Sequence, residues 1–209
     1  MAAAFNRVEY DKLKEIIYPL EWGMKTLLTK LHIMQENLVR FQDNGAIDHI
    51  RSRIKDSKSI SGKLEKLGLE ITAENAKLHL QDIAGIRIIC PFAKDIYFLA
   101  EQIKAMPEIE VTTEKDYVTN PKPSGYRSYH MIVQVPVFVG DTLTHVPVEI
   151  QLRTEAMNFW STLEHKARYK YPDHIPEHLS DELSLIAEQI AQLDDRMFLV
   201  HDLISLINA

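Results

Sequence analysis

Residues 144 to 153 read Thr-His-Val-Pro-Val-Glu-Ile-Gln-Leu-Arg. Val146, Val148, Ile150 and Leu152 fall on one side of an extended chain and Pro147, Glu149, Gln151 and Arg153 on the other, the period of two expected of a β-strand with one buried face. The same alternation runs through Tyr129, Met131, Val133 and Val135 against Ser128, His130, Ile132 and Gln134. A third strand is predicted over 81 to 90, Gln-Asp-Ile-Ala-Gly-Ile-Arg-Ile-Ile-Cys, with Asp82 at its start and Arg87 interrupting an apolar run. An unpaired buried charge costs roughly several kcal/mol, so Arg87 must find a partner, in a structural ion pair or in a site. Three strands each offering one apolar and one ionisable face predict a mixed sheet with one side lining a pocket.

Outward from the strands, apolar spacing turns helical. The first 17 residues predict a short helix that stops before Pro19, because the residue preceding a proline is pushed out of the helical region. Leu20, Met24, Leu27, Leu31, Met34, Leu38 and Phe41 then mark a long amphipathic helix, ended by Asp43-Asn44-Gly45. Asp56-Ser57 starts another, with Ile60, Leu64 and Leu67 on its face and Gly68 at its end. Residues 93 to 106 read as a crossover helix and Glu108 to Tyr117 as a further strand. A helix from Glu155 to about Tyr171 carries the stripe Met157, Trp160, Leu163, Ala167. The last helix repeats Leu179, Leu183, Ile186, Ile190, Leu193, Met197, Val200, Ile204 and Ile207, a heptad seam that either joins subunits or packs within one. The expectation is a single α+β domain over 1–209: N-terminal helices over 1–45, a catalytic core over 46–171 and an oligomerisation helix over 177–209.

Composition narrows the function. No apolar run approaches the roughly 18 residues a membrane span needs, and the N-terminus lacks a signal-peptide core, which predicts a cytoplasmic protein without membrane contact. The one cysteine, Cys90, excludes an intrachain disulfide and reads as a buried thiol between Ile89 and Pro91. Of the net charge of −6, residues 177 to 209 supply all, with seven acids against one base. The remainder is neutral but holds a basic block, Arg51, Arg53, Lys55, Lys58, Lys63 and Lys66 against Asp56 and Glu65. Cations in a loop leading to a helix N-terminus predict a small phosphate-bearing partner; a nucleic-acid binder would be basic over a whole face, so nucleic acid is unlikely. His174 and His178 have helical metal-ligand spacing, yet Pro176 lies between them and no third ligand is near, so zinc is not expected.

Residues 121 to 130, Pro-Lys-Pro-Ser-Gly-Tyr-Arg-Ser-Tyr-His, read as an anion-binding loop feeding the second strand. Asp82 and Glu149, with Arg53, Lys55, Lys63, Arg87 and Lys122 around them, are ingredients of Mg2+-dependent phosphoryl transfer. Carboxylates hold a hard cation and bases offset phosphate charge. There is neither a glycine-rich loop ending in Lys-Ser/Thr nor a protein-kinase signature. Tyr126 offers a flat face for a base.

Four ordered blocks carry a resemblance: Arg53-x-Lys55 with Lys63; Asp82-Ile-Ala-Gly-Ile-Arg87; Lys115-Asp-Tyr-x-x-x-Pro-Lys122-x-x-Gly125-Tyr126-Arg-Ser-x-His130; and Val-Glu149-Ile-Gln151-x-Arg153-Thr. Over roughly residues 46 to 171 the chain resembles the synthetase domain of the RelA/SpoT alarmone synthetases, in a stand-alone small form. The resemblance implies a nucleotidyltransferase-like fold and transfer of the β and γ phosphates of ATP to the ribose 3′-hydroxyl of GDP or GTP, giving ppGpp or pppGpp. It also implies that Asp82 and Glu149 are catalytic and bind Mg2+, Glu149 serving as base, metal ligand or both. Arg53 and Arg87 would hold adenine, Lys55 and Lys63 the ATP phosphates, Tyr126 would stack on guanine, and Lys115, Lys122, His130 and Gln151 would surround the acceptor. A tetramer built through terminal helices is implied as well. Ser124 stands where many relatives have Asn, and Asp56 where a proline often follows the lysine; neither removes a charge the reaction needs. The alternatives are the same transfer to ATP or a tRNA 3′ end, and a non-catalytic nucleotide- or RNA-binding regulator.

Overall fold

In the computed structural model, which describes residues 4–42, 44–171 and 175–207, a five-stranded sheet in the order β1-β2-β5-β4-β3 is flanked by helices. β1 (His49–Ile54) lies antiparallel to β2 (Ala84–Cys90), and β2 parallel to β5 (Thr142–Thr154). β4 (Tyr129–Val139) and β3 (Glu110–Asp116) follow antiparallel, so the sheet is mixed as expected. Strand register aligns the apolar positions into rows, such as Ile86, Ile150 and Met131. All three are buried, because these strands turn the same face toward the helices.

Helix α1 (Arg7–Gln42) and helix α4 (Ala93–Lys104) bury their stripes on that face; Leu13, Leu27, Leu31, Ile96, Leu99 and Ile103 are each no more than 1% exposed. The two N-terminal helices expected from Pro19 are one helix of 36 residues with Pro19 inside it. Proline inside a helix costs about 3 kcal/mol, yet Leu13 before it and Leu20 and Leu27 after it all enter the same core, and that shared burial carries the helix through. Gly23 sits where α1 crosses the sheet: a Cβ there would lie 2.3 Å from a Val146 methyl.

Arg51 and Arg53 of the basic block lie on an edge strand, β1, and not in a loop, and its only apolar residues, Ile50 and Ile54, face the core; Lys55 alone of the block is in the connection to the helix that follows. Helix α2 (Ser57–Lys66) begins as read, with Asp56 accepting from the Ser59 amide at 2.7 Å. A short helix α3 (Ala73–His79) is capped by Thr72 and tied to α1 where the Ala73 amide donates to Glu9. Helix α5 (Glu155–Lys170) is capped by Thr154, and its Trp160 donates to the Leu183 carbonyl of helix α6 (Glu177–Ile207) at 2.8 Å. Leu183 and Ala187 are buried there, but farther along Leu193, Met197, Val200, Ile204 and Ile207 are all more than half exposed. Cys90 is fully buried, and burial pushes its thiol up, as a structural thiol requires. Among the described residues no helix is long and apolar enough to cross a membrane. Asp43 and His174, invoked as a helix breaker and as half of the rejected zinc pair, lie outside the described residues.

Candidate active site

The polar face of the sheet is organised by the same register. One row across the strands reads Arg51, Arg87, Gln151, His130, Lys115; its neighbour reads Arg53, Gly85, Glu149, Ile132, Thr113. Residues distant in sequence are thereby brought to strand spacing, about 5 Å apart. Above the rows opens a cleft of about 590 Å³, walled additionally by Lys55, Lys63, Asp82, Tyr117 and Lys122. Of the eleven residues singled out from sequence, ten line it: Arg53, Lys55, Lys63, Asp82, Arg87, Lys115, Lys122, His130, Glu149 and Gln151. Gly85 leaves the floor open between Arg53 and Glu149, since a Cβ there would meet nothing closer than the Glu149 carbonyl oxygen at 4.0 Å.

Seven cations face two carboxylates in this cleft, so its field attracts anions. Lys55 Nζ and Lys63 Nζ both donate to Asp82 Oδ2 at 2.6 Å. Burial drives the Asp82 carboxyl up, but the two lysines outweigh it and hold it below its ordinary value. Asp82 Oδ1 is buried without a hydrogen-bond partner. Glu149 uses both oxygens: Oε1 lies 3.1 Å from His130 Nδ1, and Oε2 accepts from Gln151 Nε2 at 2.7 Å. Burial raises this carboxyl and the nearby Asp82 charge adds to that, yet the hydrogen bonds with His130 and Gln151 leave it lowered.

Arg87 has the partners that its burial demanded: Nη1 donates to Asn158 Oδ1 at 3.1 Å and Nη2 reaches Gln151 Oε1 at 3.5 Å, while Nε is buried and unpaired. Burial, reinforced by Arg153 and Arg53, brings its pKa down to about 10. Arg51, Arg53 and Lys115 have no ion pair among the described residues. The helix N-terminus expected to bind phosphate is instead occupied by its own Asp56, which accepts from Ser59; the cations beside it serve the cleft.

Tyr126 is the singled-out residue that does not line the cleft. Its ring is half-buried against Trp160, Leu183 and Ala187, and its hydroxyl contacts Arg153 and His130. Gly125 makes that placement possible: it holds φ at 85°, and a Cβ would fall 2.4 Å from Ala187. The aromatic ring that does line the cleft is Tyr117, with Lys122 Nζ 4.7 Å from its centroid and 4.8 Å from that of Tyr126. Tyr117 went unassigned because it stands at a strand end with no repeat around it; its place between Lys115 and Lys122 was the available signal.

Among the described residues no three His, Cys, Asp or Glu side chains cluster as a ready-made metal cage. Asp82 and Glu149 do fit a hard divalent cation that takes its remaining ligands from phosphate oxygens. Their charges interact, and Asp82 Oδ1 is a buried acceptor without a hydrogen-bond partner.

Residues 52–174 match the family model described as the region found in RelA / SpoT proteins. GTP pyrophosphokinase YwaC of Bacillus subtilis (strain 168) is 41% identical over 177 residues, covering 85% of this chain and 84% of that protein. GTP pyrophosphokinase YjbM of the same strain is 35% identical over 184 residues, covering 88% and 86%. Among solved structures, small alarmone synthetase 1 from Bacillus subtilis bound to its product pppGpp aligns with a TM-score of 0.83 at 34% identity, covering 90% of this chain and 96% of that one. The matched segment runs from the cationic edge strand through both carboxylates and past the end of α5, and the chain belongs to the RelA/SpoT family.

Proposed function

We infer that the chain is a GTP pyrophosphokinase, moving a pyrophosphoryl group from ATP to the ribose 3′-hydroxyl of GDP or GTP to give ppGpp or pppGpp. The observation that carries this is the single cleft in which two sheet rows set Arg53, Arg87, Glu149, Gln151, His130 and Lys115 side by side and Lys55, Lys63, Asp82 and Lys122 complete the walls. Relatives named GTP pyrophosphokinase, and a related alarmone synthetase bound to pppGpp, support the same reading.

In the reaction the 3′-oxygen attacks the β-phosphorus of ATP, the bond from that phosphorus to the α–β bridging oxygen breaks, and AMP leaves with the bonding electrons. Glu149, ionised and oriented by two donors, takes the 3′-hydroxyl proton. Arg53 and Arg87 hold the adenine, and Lys55 and Lys63 turn from Asp82 to the ATP phosphates. Lys115, Lys122, His130 and Gln151 surround the acceptor, and Tyr126 stacks on guanine as its loop closes, its hydroxyl staying on Arg153 and His130. Asp82 and Glu149 would hold Mg2+, which when bound offsets charge on the transferred phosphates.

The exposed apolar seam of α6 is covered by copies of the same chain, in a tetramer. Nucleotide substrates place the enzyme in the cytoplasm. Incubation with labelled ATP, Mg2+ and GDP or GTP is expected to yield the 3′-pyrophosphorylated guanosine and AMP. Product formed instead on ATP or on a tRNA 3′ end would change the acceptor, and tight nucleotide binding without turnover would make the chain a sensor.

A further inference from the structure

Five side chains close a hydrogen-bonded ring beside the cleft. Arg153 Nη2 donates to Tyr126 Oη at 2.5 Å and to Gln151 Oε1 at 2.9 Å. Tyr126 Oη lies 2.8 Å from His130 Nε2, His130 Nδ1 lies 3.1 Å from Glu149 Oε1, and Gln151 Nε2 lies 2.7 Å from Glu149 Oε2.

Donor and acceptor chemistry gives the ring one direction. A guanidinium only donates and an ionised carboxylate only accepts. The Gln151 amide must therefore turn its oxygen to Arg153 and its nitrogen to Glu149. Along the other branch His130 Nδ1 donates to Glu149, so in the neutral imidazole Nε2 accepts from the Tyr126 hydroxyl, which accepts from Arg153. Both oxygens of Glu149 are thus held by chains of donors that begin on one guanidinium, an arrangement in which each bond polarises the next.

Arg153 is itself only 3% exposed and forms no ion pair among the described residues. It is anchored outside the ring by Ser128 Oγ at 3.2 Å and by Ser161 Oγ of α5 at 2.8 Å. A buried guanidinium whose partners are all neutral is costly for stability alone, which points to a role in the site.

We propose that Arg153 is a positioning residue of the transfer reaction, coupling the Tyr126 loop to the orientation of the Glu149 carboxylate through this ring. It does not touch substrate; it sets the angle at which Glu149 meets the 3′-hydroxyl and ties that angle to where the acceptor loop sits. The proposal rests on the pyrophosphate-transfer reading.

The test is a cycle of Arg153→Met, Tyr126→Phe and the double variant, each assayed for kcat, the KM of ATP, the KM of GDP and the thermal midpoint. Each single change opens the ring and is expected to lower kcat by about 10- to 100-fold, the effect of a small misplacement of a reacting group, while the KM of ATP stays within about 2-fold. The double variant is expected to fall no further than Arg153→Met, because a ring is opened only once. Tyr126→Phe keeps the shape and carries the test should Arg153→Met fold poorly. Ser161→Ala, which loosens only the anchor, should give a smaller loss of kcat in the same sense. Losses that multiply in the double variant, a Tyr126→Phe enzyme with normal kcat, or a kcat per folded molecule that is unchanged in Arg153→Met would overturn the proposal. A wild-type enzyme that makes no product would remove the transfer reading itself, and the positioning role with it.

Discussion

The two carboxylates of the cleft are held in opposite ways. Asp82 stands just before β2, with one oxygen shared by two lysines and the other buried and bare. Glu149 stands in the middle of the sheet with both oxygens occupied by His130 and Gln151, neither of which is a permanent charge. Lysines on flexible stems can leave a carboxylate for a phosphate, which would free Asp82 for the cation proposed above. The polar groups around Glu149 are fixed by strand register and by Arg153, so they hold its direction while leaving its charge intact. One end of the site is built to exchange partners and the other to keep its geometry.

The sharpest way to break this contrast is Glu149→Gln. Loss of a base from the transition state is expected to lower product formation by on the order of 10³-fold, with binding of a non-hydrolysable ATP analogue and the thermal midpoint little changed. Rescue of that variant by extra Mg2+ would mean that Glu149 mainly holds the cation. Asp82→Asn is expected to cost about 10²-fold and to raise the Mg2+ concentration needed for half-maximal rate; an unchanged Mg2+ requirement would remove Asp82 from the cation.

Gly85→Leu probes the floor between the two ends. A Cβ there meets nothing closer than the Glu149 carbonyl oxygen at 4.0 Å and the longer side chain enters the cleft, so the fold should persist while the KM of ATP rises about tenfold, an effect of lost nucleotide volume. Tyr126→Ala is expected to raise the KM of GDP about tenfold while moving that of ATP no more than 2-fold, as loss of one stacked aromatic would. Equal changes for both nucleotides would place Tyr126 outside the acceptor half.

The smallest effect is on stability. The Asp82 and Glu149 carboxyls both lie below their ordinary values in the folded protein. Each therefore contributes stability that is fully present above the unfolded carboxylate range, about pH 4, and is lost as pH falls through the lowered folded value. Denaturant midpoints measured from pH 6 down to pH 3 should fall for the wild type and fall less steeply for Asp82→Asn. A steeper fall in the variant would reverse the assigned direction of the shift.

Much of the site was legible because a strand has a period of two. Once Glu149, Gln151 and Arg153 were separated from Val148, Ile150 and Leu152, a common face was implied without knowing the neighbours. Asp82 was read from the start of a strand and Lys122 and His130 from the loop feeding another, whereas Lys115 came only with the family resemblance. Legibility ended where local preference met tertiary packing. Pro19 reads as a helix stop, and only the core shared by Leu13, Leu20 and Leu27 overrides it. The edge strand β1 has too few apolar residues to declare itself, and it exists because β2 offers it a ladder. The seven-residue α3 is too short for a repeat and depends on the Thr72 cap and on Glu9 of α1.

What the sequence determined by itself was composition of faces: which side chains share one side of a strand, where charge gathers, and which residue types could handle phosphate. Those follow from backbone periodicity, which is local. What only the tertiary structure decided was adjacency across strands: that Arg53, Gly85 and Glu149 form one row, that Asp82 is gripped by Lys55 and Lys63, and that Tyr126 is tied to Arg153 and not open to the cleft. Register and helix packing fix those distances, and both are settled by burial of apolar faces far from one another in the chain.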